Sequence, residues 1–292
     1  MRRHELTDEQ WLVIQPLLPV SGARGRPRVD DSRVINGMLF KAKTGVAWRD
    51  LPRRYGPWKT VYSRFWRWSR TGTLSVLVAK VQVLAEAIDE LDREVSLDSS
   101  IVRAHQHAAG ARRVPVSHTG ASGSCGGQSE PGDHAIGRSR GGLTTKIHLA
   151  CDGHGRTLSV VLTGGNVNDR TQFTTVMAGV EFRRRGPGRP ASRPSSVLAD
   201  KGYSGHAIRT YLRRQRIPAT ILKRRDQRAN RLRRGRAGGR PPAFDRAAYR
   251  RRNIVERCFN RLKQFRAIAT RFDKTAASYR SMIDLATLRL WL

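Results

Sequence analysis

The 292-residue sequence has few cysteines and few acids. Its three cysteines, Cys125, Cys151 and Cys258, are widely separated and odd in number, which gives neither a disulfide framework nor the CxxC pair of a structural zinc site. His118, Cys125 and His134 match no zinc-finger spacing and read as loop residues. No apolar run approaches the length of a membrane-spanning helix, and the opening MRRHELTDEQW lacks the apolar core of a signal peptide. A cytoplasmic protein is expected. Only 23 Asp and Glu stand against 56 Lys and Arg, a formal charge of +33. A surplus spread along most of the chain suits a long polyanion, because each neutralised phosphate releases counterions. Nucleic acid is the first partner implied.

What is present falls into two patterns, and the length allows a small and a larger domain. Up to residue 92 the signals are helical. Thr7 with Gln10 forms a capping box ahead of Trp11, Ile14 and Leu18, DSRVINGMLFKAKTG ends at Gly45, and TLSVLVAKVQVLAEAIDELD closes the region. Between them, PWKTVYSRFWRWSRTG places Trp58, Val61, Phe65 and Trp68 on one stripe. The other side carries Lys59, Thr60, Ser63, Arg64, Arg67 and Arg70, as the recognition helix of a helix-turn-helix requires. DNA contacts are expected from Lys59, Ser63, Arg64 and Arg67. The preceding ARGRPR, with Arg26, reads as a minor-groove arm or a solvated linker.

From Val95 the pattern alternates with period two in VSLDSSIV, LTTKIHLACD, TLSVVLTGG, SSVLADKGY and IPATILK, with helices between and after. A helical domain, 1–92, followed by an α/β domain, 93–292, is expected. A Gly, Ser, Arg and His-rich insertion at 105–142 reads as a flexible loop, and 223–245 as a basic low-complexity tract. In the loop, Arg138 and Arg140 in GRSRGG are candidate phosphate contacts.

Acids are rare enough here for their settings to matter. Asp98 and Asp200 close apolar strands, and Glu256 stands among bases in YRRRNIVERCFNRLK, which has helical spacing at Ile254, Val255, Phe259 and Leu262. A carboxylate at a buried strand end is costly unless paired or bound to a cation. Two such aspartates and a helical glutamate form a donor set for two hard divalent cations, roughly 3.5 to 4 Å apart, that support in-line phosphoryl transfer.

These residues give the chain a family likeness. Tyr249, Arg252, Glu256 and Lys263 stand in the spacing Y-x2-R-x3-E-x6-K, Asp200 to Tyr203 fit D-x-G-[FY], and Asp98 precedes both. Over nearly its whole length the sequence resembles bacterial DDE transposases of the insertion-sequence type 5 family. The resemblance implies a ribonuclease-H-like catalytic domain with Asp98, Asp200 and Glu256 as ligands of two Mg²⁺, for which Mn²⁺ substitutes. It makes Arg252 and Lys263 phosphate clamps and Tyr249 a contact to the DNA end. It implies terminal inverted repeats and target DNA as partners, cleavage and strand transfer as the reaction, and a homodimer or larger synaptic complex. His105 and His107, after the first strand, stand either beside the metals or as neutral loop residues. Two rival readings share these residues: an inactive DNA-binding regulator derived from such an enzyme, and a nuclease of the same fold that cleaves without joining.

Overall fold

The computed structural model describes residues 4–19, 29–88, 90–112, 130–182 and 193–292. Arg26, His118 and Cys125 lie outside them, as does residue range 113–129 of the expected loop.

The chain opens with α1 (Asp8–Ile14), whose capping box closes as expected: the Gln10 amide donates to Thr7 Oγ1 and the Thr7 amide to Gln10 Oε1, both at 3.1 Å. Asp30 caps α2 (Asp31–Thr44), which ends where Gly45 turns to φ +73°. Next come α3 (Trp58–Thr71) and α4 (Thr73–Ala87), hinged at Gly72 with φ +68°, a conformation that glycine adopts without strain. Helices α2 and α3 are linked by residues 45–57, which contain two short 3₁₀ turns, rather than by the three- or four-residue turn of a helix-turn-helix.

Strand β1 (Glu94–Ala104) begins the sheet and leads into α5 (Gln106–Ala109). Then follow β2 (Gly137–Ser139), β3 (Gly142–Cys151), β4 (Thr157–Gly164) and α6 (Phe173–Ala178). The insertion expected as one loop over 105–142 therefore contains a helical turn and a strand. After it come β5 (Ser196–Ala199), α7 (His206–Arg214) and β6 (Ala219–Ile221). The basic tract holds α8 (Arg225–Arg233), which buries none of its residues. The chain ends with α9 (Arg246–Arg251), α10 (Asn253–Lys263), α11 (Arg266–Ala269), β7 (Thr270–Arg271) and α12 (Ala276–Trp291).

The sheet is mixed. Strands β1, β3 and β4 form an antiparallel meander, whereas β5 pairs parallel with β1 and β6 parallel with β5. Short β2 extends from β3, and β7 pairs with the far end of β1. The β3–β4 turn is tied by Asp152, whose carboxylate accepts the amides of His154 and Arg156 and the Arg156 side chain.

Helix α10 packs on β1 and β3 through Val255, Cys258, Phe259 and Leu262, all buried. At about 1.5 to 3 kcal/mol for a large apolar side chain taken out of water, this seam fixes the helix and everything it carries. Helix α12 lies deeper and packs against α2, α3 and α4 as well as β4. Its one buried acid, Asp284, is satisfied by Ser75 of α4 at 2.6 Å and by Arg280 at 2.8 Å. The division drawn at residue 92 therefore runs through a single continuous core that joins the helical region to the sheet.

Candidate active site

Asp98 and Asp200 are brought side by side by strand register. In the parallel pair β1 and β5, Leu97 faces Ala199, so the next residue on each strand is an aspartate. Asp200 leaves the end of β5 as expected and caps the following turn, accepting the Gly202 amide at 2.7 Å. Asp98 differs from expectation: it lies inside β1, which continues to Ala104, not at the end of a strand. Its Oδ1 accepts the Ser99 amide at 2.8 Å.

Glu256 reaches this pair from the other side. The helix expected over 249–263 is broken at Arg252, where i−3 hydrogen bonds from Arg252 to Tyr249 and from Val255 to Arg252 tighten the backbone between α9 and α10. The Arg252 guanidinium then spans the site, with Nη1 3.2 Å from Asp98 Oδ2 and Nη2 2.8 Å from Glu256 Oε1. Its planar fork suits two carboxylates at once. The Tyr249 ring lies 5.7 Å from the guanidinium and 5.2 Å from the Phe244 ring, so it already has stacking partners within the protein.

The electrostatics are those of crowded acids around one base. Burial pushes the Asp98 carboxyl above its ordinary range; the Ser99 amide opposes this, Asp200 adds to it, Arg252 opposes it and Glu256 adds again. Burial weakens the charged form of Arg252, but Asp98 and the hydrogen bond to Glu256 carry its pKa above normal. Lys263, further along α10, donates to Ser100 Oγ at 2.6 Å on β1, and burial lowers its pKa. Tyr203 is buried below the Asp200 turn and lies 6.0 Å from the Phe173 ring. Burial, then Asp169, Asp98 and Asp200, drive its hydroxyl pKa up, so it stays protonated. Ser99 and Ser100 carried no signal in the sequence, since their value lies wholly in the partners that folding brings.

The donor chemistry of Asp98, Asp200 and Glu256 fits hard divalent cations. Among the described residues no group of three or more His, Cys, Asp or Glu is gathered so that it could hold one ion, and Glu256 is turned to Arg252. His105 and His107 do not join the acids. They lie past the end of β1, where His105 caps α5 and stacks on Phe272 at 4.8 Å and on His107 at 4.5 Å.

The expected DNA-reading helix is partly corrected. Val61, Phe65 and Trp68 of α3 are buried and Lys59, Ser63 and Arg67 are exposed. Arg64 is only 8% exposed: its guanidinium pairs with Asp31 of α2 and lies 5.6 Å from the Trp68 ring. The buried face is two residues wider than the sequence spacing suggested, since Arg64 finds Asp31 and the Ser69 hydroxyl donates to the Phe65 carbonyl at 2.8 Å. The outer face instead presents Tyr62 and Trp66, 39% and 48% exposed, with Arg70 stacked 4.9 Å from the Trp66 ring. Arg140 is exposed in the β2–β3 turn and lines a cleft of about 740 Å³ with Arg103 and Arg138.

Residues 89–291 match the family described as "Transposase DDE domain", and the chain belongs to that family of DNA-acting enzymes. Residues 6–78 match "Putative transposase of IS4/5 family", which places it among bacterial insertion-sequence transposases. Similar proteins include "Uncharacterized protein y4sN" of Sinorhizobium fredii, 44% identical over 112 residues, or 37% of this chain and 84% of the relative. Another is "Putative transposase for insertion sequence element IS402" of Burkholderia cepacia, 31% identical over 159 residues, or 54% of this chain and 67% of the relative. Among solved structures, the "Mos1 transposase paired-end complex with left transposon end" aligns at 12% identity with a TM-score of 0.24, covering 91% of this chain and 88% of that one. Among the described residues no helix is long and apolar enough to cross a membrane.

Proposed function

We propose that the protein cleaves at the terminal inverted repeats of its own insertion sequence and joins the freed 3′ ends to target DNA, with Asp98, Asp200 and Glu256 as the catalytic acids. The observation that carries this reading is the register that sets Asp98 beside Asp200, with Glu256 linked to Asp98 through one guanidinium. The order β4–β3–β1–β5–β6, an antiparallel meander followed by parallel strands, supports a ribonuclease-H-like assignment of the sheet.

The three acids would hold two Mg²⁺, or Mn²⁺ in their place. Bound divalent cations activate a water or a 3′-hydroxyl and stabilise the leaving oxygen of an in-line displacement. The chain's own part is to place the DNA. The Gly202 amide and the buried Tyr203 ring fix the Asp200 turn, Arg252 and Lys263 meet phosphate oxygens near the acids, and the Tyr249 ring stands at the DNA end. Lys59, Ser63 and Arg67 on α3 contact the repeat, and Arg140 touches backbone phosphates. Two ends must be processed together, so a pair of protomers or a larger assembly in the cytoplasm does the work. Joining of pre-cut repeat ends to a target plasmid in the presence of Mg²⁺ tests this reading; cleavage with no joined product favours the nuclease instead.

The α3 geometry separates two arginines three residues apart. Arg67→Ala should weaken binding to repeat DNA by about 1 to 3 kcal/mol if the side chain meets a base, with little change in melting temperature. Arg64→Ala removes a buried guanidinium with its ion pair to Asp31 and its packing on the Trp68 ring, and should instead destabilise the fold by about 1 to 3 kcal/mol. Thermal melts and binding isotherms on the full-length chain check both, and a melting temperature unchanged by Arg64→Ala would contradict its structural role.

A further inference from the structure

We infer that Arg252 acts as an internal counter-cation that keeps the acidic site closed until DNA draws it away, so that this one side chain couples DNA binding to divalent-cation binding. The inference rests on the reading of Asp98, Asp200 and Glu256 as the cation-holding acids.

Both ends of the guanidinium are committed, Nη1 to Asp98 on β1 and Nη2 to Glu256 on α10, at 3.2 Å and 2.8 Å. It thereby spans the gap between the acid on β1 and the acid on α10. Glu256 is half exposed, and among the described residues its side chain has no other ion-pair partner. The Arg252 side chain is only 17% exposed and stands at the joint between α9 and α10. A cation entering without DNA would have to take both carboxylates from it and leave a largely buried guanidinium unpaired, which is costly. A phosphodiester removes that cost, because its oxygens accept the same planar fork that the carboxylates accept now. Once Arg252 turns to phosphate, both carboxylates are released together.

Among the described residues only Arg252 makes an ion pair with Asp98 or Glu256. Arg251 is held by Glu94, with both nitrogen-to-oxygen distances 2.7 Å, and Lys263 is held by Ser100. By linkage, the factor by which DNA tightens the cation equals the factor by which the cation tightens DNA. Such an order of binding would keep the enzyme from assembling a reactive site away from DNA.

The test is a Mn²⁺ titration of the full-length protein at fixed ionic strength, followed by electron paramagnetic resonance, with and without a pre-cut end duplex. Asp200→Asn supplies the baseline for Mn²⁺ held by DNA alone. Without DNA, Arg252→Ala and Arg252→Gln should each bind Mn²⁺ at least about tenfold tighter than the unaltered protein, the least that releasing the two charge-assisted hydrogen bonds of Arg252 implies. DNA should tighten Mn²⁺ binding by the unaltered protein by a similar factor and leave both variants unchanged. Arg251→Ala removes an equal charge outside the site and should behave as the unaltered protein does. If Asp200→Asn does not weaken Mn²⁺ binding, the assignment of the acids falls and this inference falls with it. If Asp200→Asn does weaken it but the Arg252 variants match the unaltered protein or Arg251→Ala, the acids stand and the Arg252 inference alone is overturned. Should both Arg252 variants unfold, the unaltered protein decides: a Mn²⁺ affinity indifferent to DNA overturns it.

Discussion

Asp98→Asn is expected to abolish both end cleavage and end joining, a loss of about 10³-fold or more, while leaving thermal stability within about 1 kcal/mol of the unaltered protein. The two halves of this expectation have separate causes. Asparagine keeps the shape of the side chain and can still accept the Ser99 amide through Oδ1. It loses the contact to Arg252, but it also removes a charge that burial, Asp200 and Glu256 all disfavour. Those effects oppose each other, so folding changes little. For chemistry nothing offsets the loss, because a neutral amide oxygen binds a divalent cation more weakly than a charged carboxylate. Asp98→Asn combined with Asp200→Asn should be no worse than either alone, since ligands of one site act as a unit. Single-turnover assays beside thermal melts check both halves, and near-normal joining by Asp98→Asn would remove that residue from the site.

The largest effect on stability is expected away from the acids. Arg271 on β7 is fully buried, and among the described residues it has no ion-pair partner within salt-bridge distance. It donates instead to the carbonyls of His134, Ala135, Asp273 and Lys274, at 2.7 to 3.1 Å, and to Thr145 Oγ1 at 2.5 Å. Its guanidinium also lies 5.1 Å from the Tyr279 ring. Two of those carbonyls belong to residues in strained backbone, His134 at φ +53° and Ala135 at φ +54°. Arg271 therefore both satisfies buried acceptors and holds the turn that feeds β2. Arg271→Met fills the space but takes the donor from the buried carbonyls of His134, Asp273 and Lys274 and leaves Ala135 only Thr145, which should cost about 3 to 5 kcal/mol. Denaturant unfolding measures it; a loss below about 1 kcal/mol would mean that the turn is held by other contacts.

How much of this was legible in the chain differs from residue to residue. Asp200 and Glu256 stood out because a lone carboxylate closing an apolar strand, or set among arginines, is conspicuous, and fixed motif spacing placed both. The position of Asp98 inside a longer strand was not legible: SSIVRA after it mixes small, apolar and basic residues, and its pairing with β3 and β7 extends the strand where local pattern ends. Arg64 was misread for a similar reason. Periodicity marks which helix face is apolar, but only the packing of α2 beside α3 brings Asp31 within reach. The exposure of Trp66 was available from the helical spacing, since it falls off the stripe of Val61, Phe65 and Trp68. The role of α12 was hidden more deeply. A helix apolar nearly all round announces burial, yet nothing local says that it will pack against helices from the opposite end of the chain.

Whether Asp98 and Asp200 hold the catalytic cations is tested most directly by a change of ligand softness. In joining assays with pre-cut ends, Asp98→Cys and Asp200→Cys should be inactive with Mg²⁺, which avoids sulfur, and should recover activity with Mn²⁺, which tolerates it better. Joining at the unaltered rate with Mg²⁺ by either cysteine variant would contradict the assignment.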